Sequence, residues 1–396
     1  MWKCFGYTEN ASELDWEAIS NQFDWIRDMI GVPQDPVFHA EGDVWIHTRM
    51  VTEQVISHPD FLKLDLQTKH ILFASSLLHD VEKRSTTQEE FNEELGRIQI
   101  IAPSHAKKGE YTARRILYRD LDCPFDVREK ICRIVRYHGL PIFAIEKDNP
   151  QKSIIQTSLY GINHLLRIFA ECDMKGRTCP DLDDQMYRIE LFEELCKEND
   201  CFDKPYQFES DLARFTFFQK SQSAPDYAPF DNIEMTVHLM CGIPASGKDY
   251  FIKNNLPDLP VISLDDIREE FGFKAGQGTG QAIQEAKERA KQHLRVGQDF
   301  VWNGTNITRE TRMQLIDLFT SYKIHPARVV IQYVETASNQ QVVQNKDRKS
   351  VVPSKIIAKF VRNLEVPDLS EAHQLNYNLN YGNDNKKKTN KKTSII

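Results

Sequence analysis

A chain of 396 residues with 40% hydrophobic and 27% charged side chains is long enough for two or three separately cored domains, and its composition excludes a fibre or wholesale disorder. Its net charge of −8 is unevenly spread: residues 1–230 carry 27 basic and 39 acidic side chains, and 231–396 carry 23 and 19, so a nucleic-acid partner is easier to accommodate on the second half. Scattered cysteines without a C-x-x-C pair, a start lacking a basic and apolar leader, and no apolar run near the roughly 20 residues a bilayer requires point to a reducing cytoplasm and no membrane partner.

From residue 1 to about 200, apolar residues recur at three- and four-residue spacing, as in Ile71-Leu72-Phe73, Leu77-Leu78 and Ile131, Ile134, Val135. This predicts an all-helical first domain over 1–204. Its chemistry-bearing residues come in the order His47, His79-Asp80, His105, His138 and Asp173, each in or beside an apolar-periodic segment. Imidazole and carboxylate are ligands that suit zinc, manganese, iron, cobalt or nickel. The His79-Asp80 pair ends a predicted helix over 68–83, and Lys83 lies on the same helical face as both. A metal and a phosphate could sit side by side there. His39, His58, His70 and His164 are read as structural, and Cys172 as a buried helical thiol.

Between 205 and 233, Pro, Ser and Gln accumulate and the periodicity lapses, which predicts a linker. A second domain over 234–378 then alternates: strand 235–241, helix 248–255, strand 260–264, helices 265–272 and 281–297, strand 299–302, helix 308–321 and strand 327–334. Such alternation predicts a mostly parallel sheet flanked by helices. The run Gly242-Ile243-Pro244-Ala245-Ser246-Gly247-Lys248 joins its first strand and helix. That spacing lets successive backbone N–H groups wrap a phosphate while the lysine reaches the β and γ oxygens, so ATP or another nucleoside triphosphate with Mg2+ is the expected cofactor. Asp249 stands where the usual pattern has Ser or Thr, and turns a carboxylate toward the magnesium.

Beyond the loop, Asp265 and Arg268 offer a base for an attacking hydroxyl and a cation for an acceptor's phosphate. The polar turn ending in Asn306 is expected to face the site, with Arg309 and Arg312 on the following helix. A basic segment over 344–353 is expected to close over the phosphates, with Arg348 as its contact. Residues 379–396, with their lysine run, read as a disordered basic tail.

The His47, His79-Asp80, Asp173 series resembles the HD superfamily of metal-dependent phosphohydrolases. That resemblance implies that these four residues hold a first metal, and that His105 and His138 hold a second bridged through Asp80. It also implies that Lys83 neutralises the substrate phosphate in an HDxxK variant, joined by Arg177. The phosphate loop, S-x-D-D-x-R, N-x-T-N and basic segment together resemble the P-loop polynucleotide 5′-hydroxyl kinases. This implies Lys248 and Arg348 on the transferring phosphoryl group, Asp265 as general base and Arg268 on the phosphate beside the 5′-OH; Asn306 and Arg312, read from the polar turn and the helix after it, are expected to bind substrate. An HD module followed by such a kinase is similar to the bacterial HD-Pnk end-healing enzymes. The resemblance implies RNA or DNA ends as substrate, removal of 2′,3′-cyclic, 2′- or 3′-phosphate, one or two ions such as Mn2+, Co2+, Ni2+ or Zn2+, and a nucleic-acid ligase downstream. An HD nucleotidase fused to a small-metabolite kinase, and a nucleotide sensor without turnover, are the competing readings.

Overall fold

The computed structural model describes residues 1–9, 13–220, 223–273, 277–322, 324–348 and 350–381. The lysine run of the expected tail lies outside them. The chain divides into two compact units after Tyr206.

The first unit is built on helices, the longer of them Val44–Ser57, Leu66–Leu78, His105–Arg119, Phe125–Tyr137, Asn163–Lys175 and Leu182–Glu198. Their starts follow from local chemistry: Asp43 accepts from the Ile46 N–H and Asp65 from that of Thr68, each satisfying a donor with no partner within its helix. Every residue from Lys69 to Leu78 is buried, so Leu66–Leu78 runs through the middle of the unit rather than along its surface. Val51, Val55, Leu72, Ile116, Ile131, Ile134 and Ile168 pack the interior at zero exposure. The unit is not purely helical, as the periodicity predicted. Strands β1 (Gln88–Asn92) and β2 (Arg97–Ile101) form an antiparallel hairpin. Its turn carries Gly96 at φ +62°, a left-handed conformation that favours glycine.

The second unit is a five-stranded, wholly parallel sheet. Strands β3 (Met235–Cys241), β4 (Val261–Ser263), β5 (Phe300–Asn303), β6 (Ala327–Thr336) and β7 (Gln374–Asn380) lie in the order β4-β5-β3-β6-β7. β3 is central, flanked in register by Phe300 opposite Val237 and by Val329 opposite the same residue. The chain leaves β3 for β4 and β5 on one side and crosses to β6 on the other. In open parallel sheets that reversal opens a crevice at the carboxyl ends of the strands. Helix Lys248–Asn255 packs Ile252 against Met240, Val301 and Val334.

The stretch expected as a linker contributes helix Asp211–Gln219 to this unit. Ser210 caps it by accepting from the Ala213 N–H, and Phe215 stacks on His373 at 3.9 Å between ring centroids. Arg214 donates to the carbonyls of Leu369 and His373 at 3.0 and 2.6 Å. The second domain was expected to end at 378, but β7 continues to Asn380. Among the described residues, no helix is long and apolar enough to cross a membrane.

Candidate active sites

In the first unit, His47 comes from helix Val44–Ser57, His79 and Asp80 from the end of Leu66–Leu78, His105 from the start of its helix, His138 from the end of Phe125–Tyr137, and Asp173 from Asn163–Lys175. The fold brings all six together. His47 Nε2 lies 3.1 Å from Asp173 Oδ1 and 3.7 Å from Asp80 Oδ2, and His79 Nε2 lies 3.2 Å from the same Asp80 oxygen. The other oxygen, Oδ1, is 3.4 Å from His105 Nε2, which is itself 3.4 Å from His138 Nε2. Asp80 thus stands between two groups of imidazoles.

The outer face of each ring fixes the inner one. Backbone carbonyls can only accept, so Nδ1–H donates to Gly176 O from His47, to Ser76 O from His79, to Ala102 O from His105 and to Val135 O from His138, at 2.7 to 3.2 Å. In its neutral form each ring therefore turns a lone pair on Nε2 inward, the arrangement that orients histidine ligands. Burial, reinforced by the neighbouring His105 and His79, holds the His138 imidazole down to about 3, and burial also lowers His105. Both are neutral near pH 7, the form a metal requires. His47 Nε2, His79 Nε2 and both Asp80 oxygens are buried without a well-formed hydrogen bond. Unsatisfied groups of this kind are costly to bury unless something coordinates them. The set of inward Nε2 atoms and a carboxylate fits one or two divalent transition-metal ions.

Two cations border the cluster. Lys83 Nζ is 2.8 Å from Asp80 Oδ2 and donates to Gln34 Oε1 at 2.8 Å, while Arg177 donates to both Asp173 oxygens at 3.3 and 2.8 Å. Burial opposes ionisation of Asp80, but the neighbouring His79 and the Lys83 ammonium hold it well below the usual carboxylate range.

Of the histidines read as structural, His58 pairs with Glu171, and His70 accepts from the Cys4 N–H. His39 lies beside the cluster: Glu41 Oε1 is 2.8 Å from His39 Nδ1 and 3.0 Å from His47 Nδ1, and Glu41 Oε2 accepts from the Thr178 N–H. Glu41 and Gln34 belong to the site through contacts that sequence spacing does not reveal. Burial pushes the Cys172 thiol up to about 12, leaving it a packing residue.

In the second unit, the phosphate loop follows β3 directly. Gly242 has φ +153°, and a Cβ there would stand 2.4 Å from the Val334 carbonyl oxygen; Gly247 has φ +99° and caps helix Lys248–Asn255. Ala245 is also left-handed, at φ +60°, a conformation that costs a non-glycine residue about 1–2 kcal/mol. Lys248 Nζ donates to the carbonyls of Gly242 and Ile243 at 2.8 and 3.0 Å, inside the loop it closes. Burial lowers this ammonium to about 8; Asp249 and Asp265 oppose that shift and Arg348 adds to it. All three charges are therefore within electrostatic reach of Lys248. Pro244 O accepts from buried Gln341, which ties the loop to helix Ser338–Lys346.

Asp249, exposed in the first turn of helix Lys248–Asn255, accepts on Oδ1 from Nδ2 of Asn303, the last residue of β5, at 2.9 Å. Asp265, exposed at the start of helix Leu264–Glu270, accepts from Arg268 at 2.7 Å. Asn306 and Arg312 differ from expectation. Asn306 is buried at φ +43° and donates to Met240 O, clasping its turn to β3. Arg312 is fully buried and donates to both oxygens of Glu371 at 2.7 and 2.9 Å, with further bonds to the carbonyls of Asn306 and Glu365. Its charge is consumed inside the unit. Both residues shape the site instead of facing it.

The AAA domain family model matches residues 237–367, a stretch wholly within this unit. A solved structure of a Chloroflexus aurantiacus protein designated a kinase is similar over 38% of this chain and 87% of that one, at 18% identity and a TM-score of 0.31. No curated protein matches the chain. The second unit therefore contains a stretch similar to the AAA domain family, phosphate loop included, and the first unit lies outside that stretch.

Proposed function

We propose that the protein is a bifunctional nucleic-acid end-healing enzyme: the second unit transfers the γ-phosphate of a nucleoside triphosphate to a 5′-OH end, and the first hydrolyses a 2′,3′-cyclic, 2′- or 3′-terminal phosphate. What supports this reading is that one chain bears both a phosphate loop beside an aspartate–arginine pair and a histidine–aspartate cluster flanked by two cations. Breaks ending in 5′-OH and 3′-phosphate need both operations before a ligase can seal them.

In the second unit, Lys248 and Arg348 neutralise charge on the transferring phosphoryl group, and Asp265 takes the proton of the attacking hydroxyl. Arg268 orients the Asp265 carboxylate and presents its remaining N–H groups to the acceptor's phosphate. Asp249 would help to hold magnesium, which would offset the charge of the phosphates. In the first unit, His47, His79, Asp80, His105, His138 and Asp173 would hold one or two divalent ions. Those ions supply Lewis acidity toward the phosphate and a nucleophile at neutral pH. Lys83 and Arg177 bind the phosphate oxygens and set its orientation. The carbonyls that accept from Nδ1 keep the rings from turning during the reaction.

Acceptor length tests this reading. With ATP and magnesium, 5′-OH oligomers are expected to be phosphorylated with far higher kcat/KM than nucleosides, and manganese-loaded protein is expected to release phosphate from a 3′-phosphorylated oligomer in preference to a mononucleotide. Turnover of nucleosides and mononucleotides alone would place the chain in small-molecule metabolism.

A further inference from the structure

Helix Ser354–Arg362 has two unlike faces. Ile357 and Val361 are buried, at 6% and 2% exposure, while Lys355, Lys359 and Arg362 are exposed. At 3.6 residues per turn these three cations fall within about 60° of arc and span about 10 Å along the axis. The helix contains no carboxylate. Among the described residues none of the three cations has an ion pair or a side-chain hydrogen bond, in contrast to Arg289, Arg309 and Arg312 of the same unit, which are all paired.

Both ends of the helix are tied to the phosphate-loop site. At its start, Asn345 and Val352 exchange two hydrogen bonds of 2.8 and 3.1 Å, and Asn345 lies on the helix whose Gln341 holds Pro244 of the loop. Past its end, the Glu365 N–H donates to Ile307 O at 2.9 Å and its carboxylate accepts from the Arg309 N–H. Ile307 adjoins Asn306, whose turn is clasped to the end of β3. The helix is therefore anchored at both ends to elements that build the site, not carried on a free segment.

From this placement we infer that Lys355, Lys359 and Arg362 form a track for the phosphate backbone of a single strand whose 5′ end lies at the phosphate loop. The inference rests on reading that site as a polynucleotide kinase. Evenly spaced cations on a rigid element suit a polyanion with regular charge spacing, and sequence-independent single-strand binding uses such tracks. A membrane surface fits less well, because Ile357 and Val361 are packed into the unit and Ile356 is the one large apolar side chain the helix exposes.

The test uses the full chain with Lys355, Lys359 and Arg362 all changed to Ala. Exposed helical positions accept alanine with little effect on stability. Binding of a labelled single-stranded oligomer, measured by anisotropy without nucleotide, should weaken about 10-fold at low salt, and the slope of log affinity against log salt should become shallower by about 2. KM for a 5′-OH oligomer should rise in parallel, while KM for a nucleoside 3′-monophosphate acceptor stays unchanged. An oligomer affinity and salt slope equal to the parent's would overturn the inference, as would a parent protein that binds no oligomer, or one whose triple variant loses only binding to anionic phosphatidylserine vesicles. If oligomers bind through the track but only nucleosides are phosphorylated, the track stands and the reading of the site as a polynucleotide kinase fails.

Discussion

The histidine cluster of the first unit and the phosphate loop of the second are assembled from different materials. The cluster draws side chains from five helices over more than a hundred residues of sequence; all but the partly exposed His105 are buried, and each of the four histidines is braced by a backbone carbonyl. The loop is one contiguous stretch whose glycines and main-chain groups do the holding, with one lysine closing it. A site of dispersed buried side chains is sensitive to every member, because each lost group leaves another unsatisfied. A backbone loop tolerates side-chain changes except where a glycine or its lysine is involved.

The largest effect expected from this contrast is at His79. Its replacement by Ala should abolish phosphate release and lower bound metal, read by elemental analysis, while 5′-phosphorylation stays at the parent rate; retained metal and hydrolysis would remove the cluster from the mechanism. Next is Asp265→Asn, which should lower kcat for 5′-phosphorylation by about 10²–10⁴-fold with little change in nucleotide affinity. A loss confined to affinity would instead make Asp265 a binding group.

Arg312 is predicted to matter through stability alone. Breaking its buried pair by Arg312→Met should destabilise the second unit by about 3–5 kcal/mol, seen as an earlier denaturant midpoint for that unit, with phosphate release by the first unit intact. An unchanged midpoint with weakened acceptor binding would return Arg312 to the substrate. Glu41→Gln should weaken metal affinity by about 10–100-fold if Glu41 orients His47, measured by competition with a chelating dye.

The smallest effect concerns pH. The Lys248 ammonium is depressed to about 8 by burial, and only the protonated form attracts phosphate. Its charged fraction falls as pH rises through that value, so kcat/KM for nucleotide should decline up to tenfold per pH unit above about 8. The kcat should decline less, because bound phosphates favour the ammonium. Identical profiles for both parameters would assign the titration to another group.

The same contrast explains what the sequence made legible. The phosphate loop is local, so its spacing alone predicted its place between a strand and a helix. The histidine order was readable only as an ordered set, and its partners Glu41 and Gln34 were not, because they join through tertiary contacts with His47 and Lys83. Arg312 looked available because its partner Glu371 lies 59 residues away. The hairpin of β1 and β2 escaped notice because four of the five residues of β1 are exposed, leaving no apolar stripe to show. β7 alternates Leu375, Tyr377 and Leu379 with amides, a period of two that was available but is weak in so polar an edge strand.

The central claim, that one chain repairs both ends of a break, is tested most directly with an RNA oligomer carrying a 5′-OH and a 2′,3′-cyclic phosphate, incubated with ATP, magnesium and manganese, with the mass of each end read separately after fragmentation. The account predicts a product with a 5′-phosphate and a free 3′ end; Lys248→Ala should block only the gain, and Asp80→Ala only the loss. An oligomer of unchanged mass, incubated with protein that turns over free nucleosides or nucleotides, would contradict it.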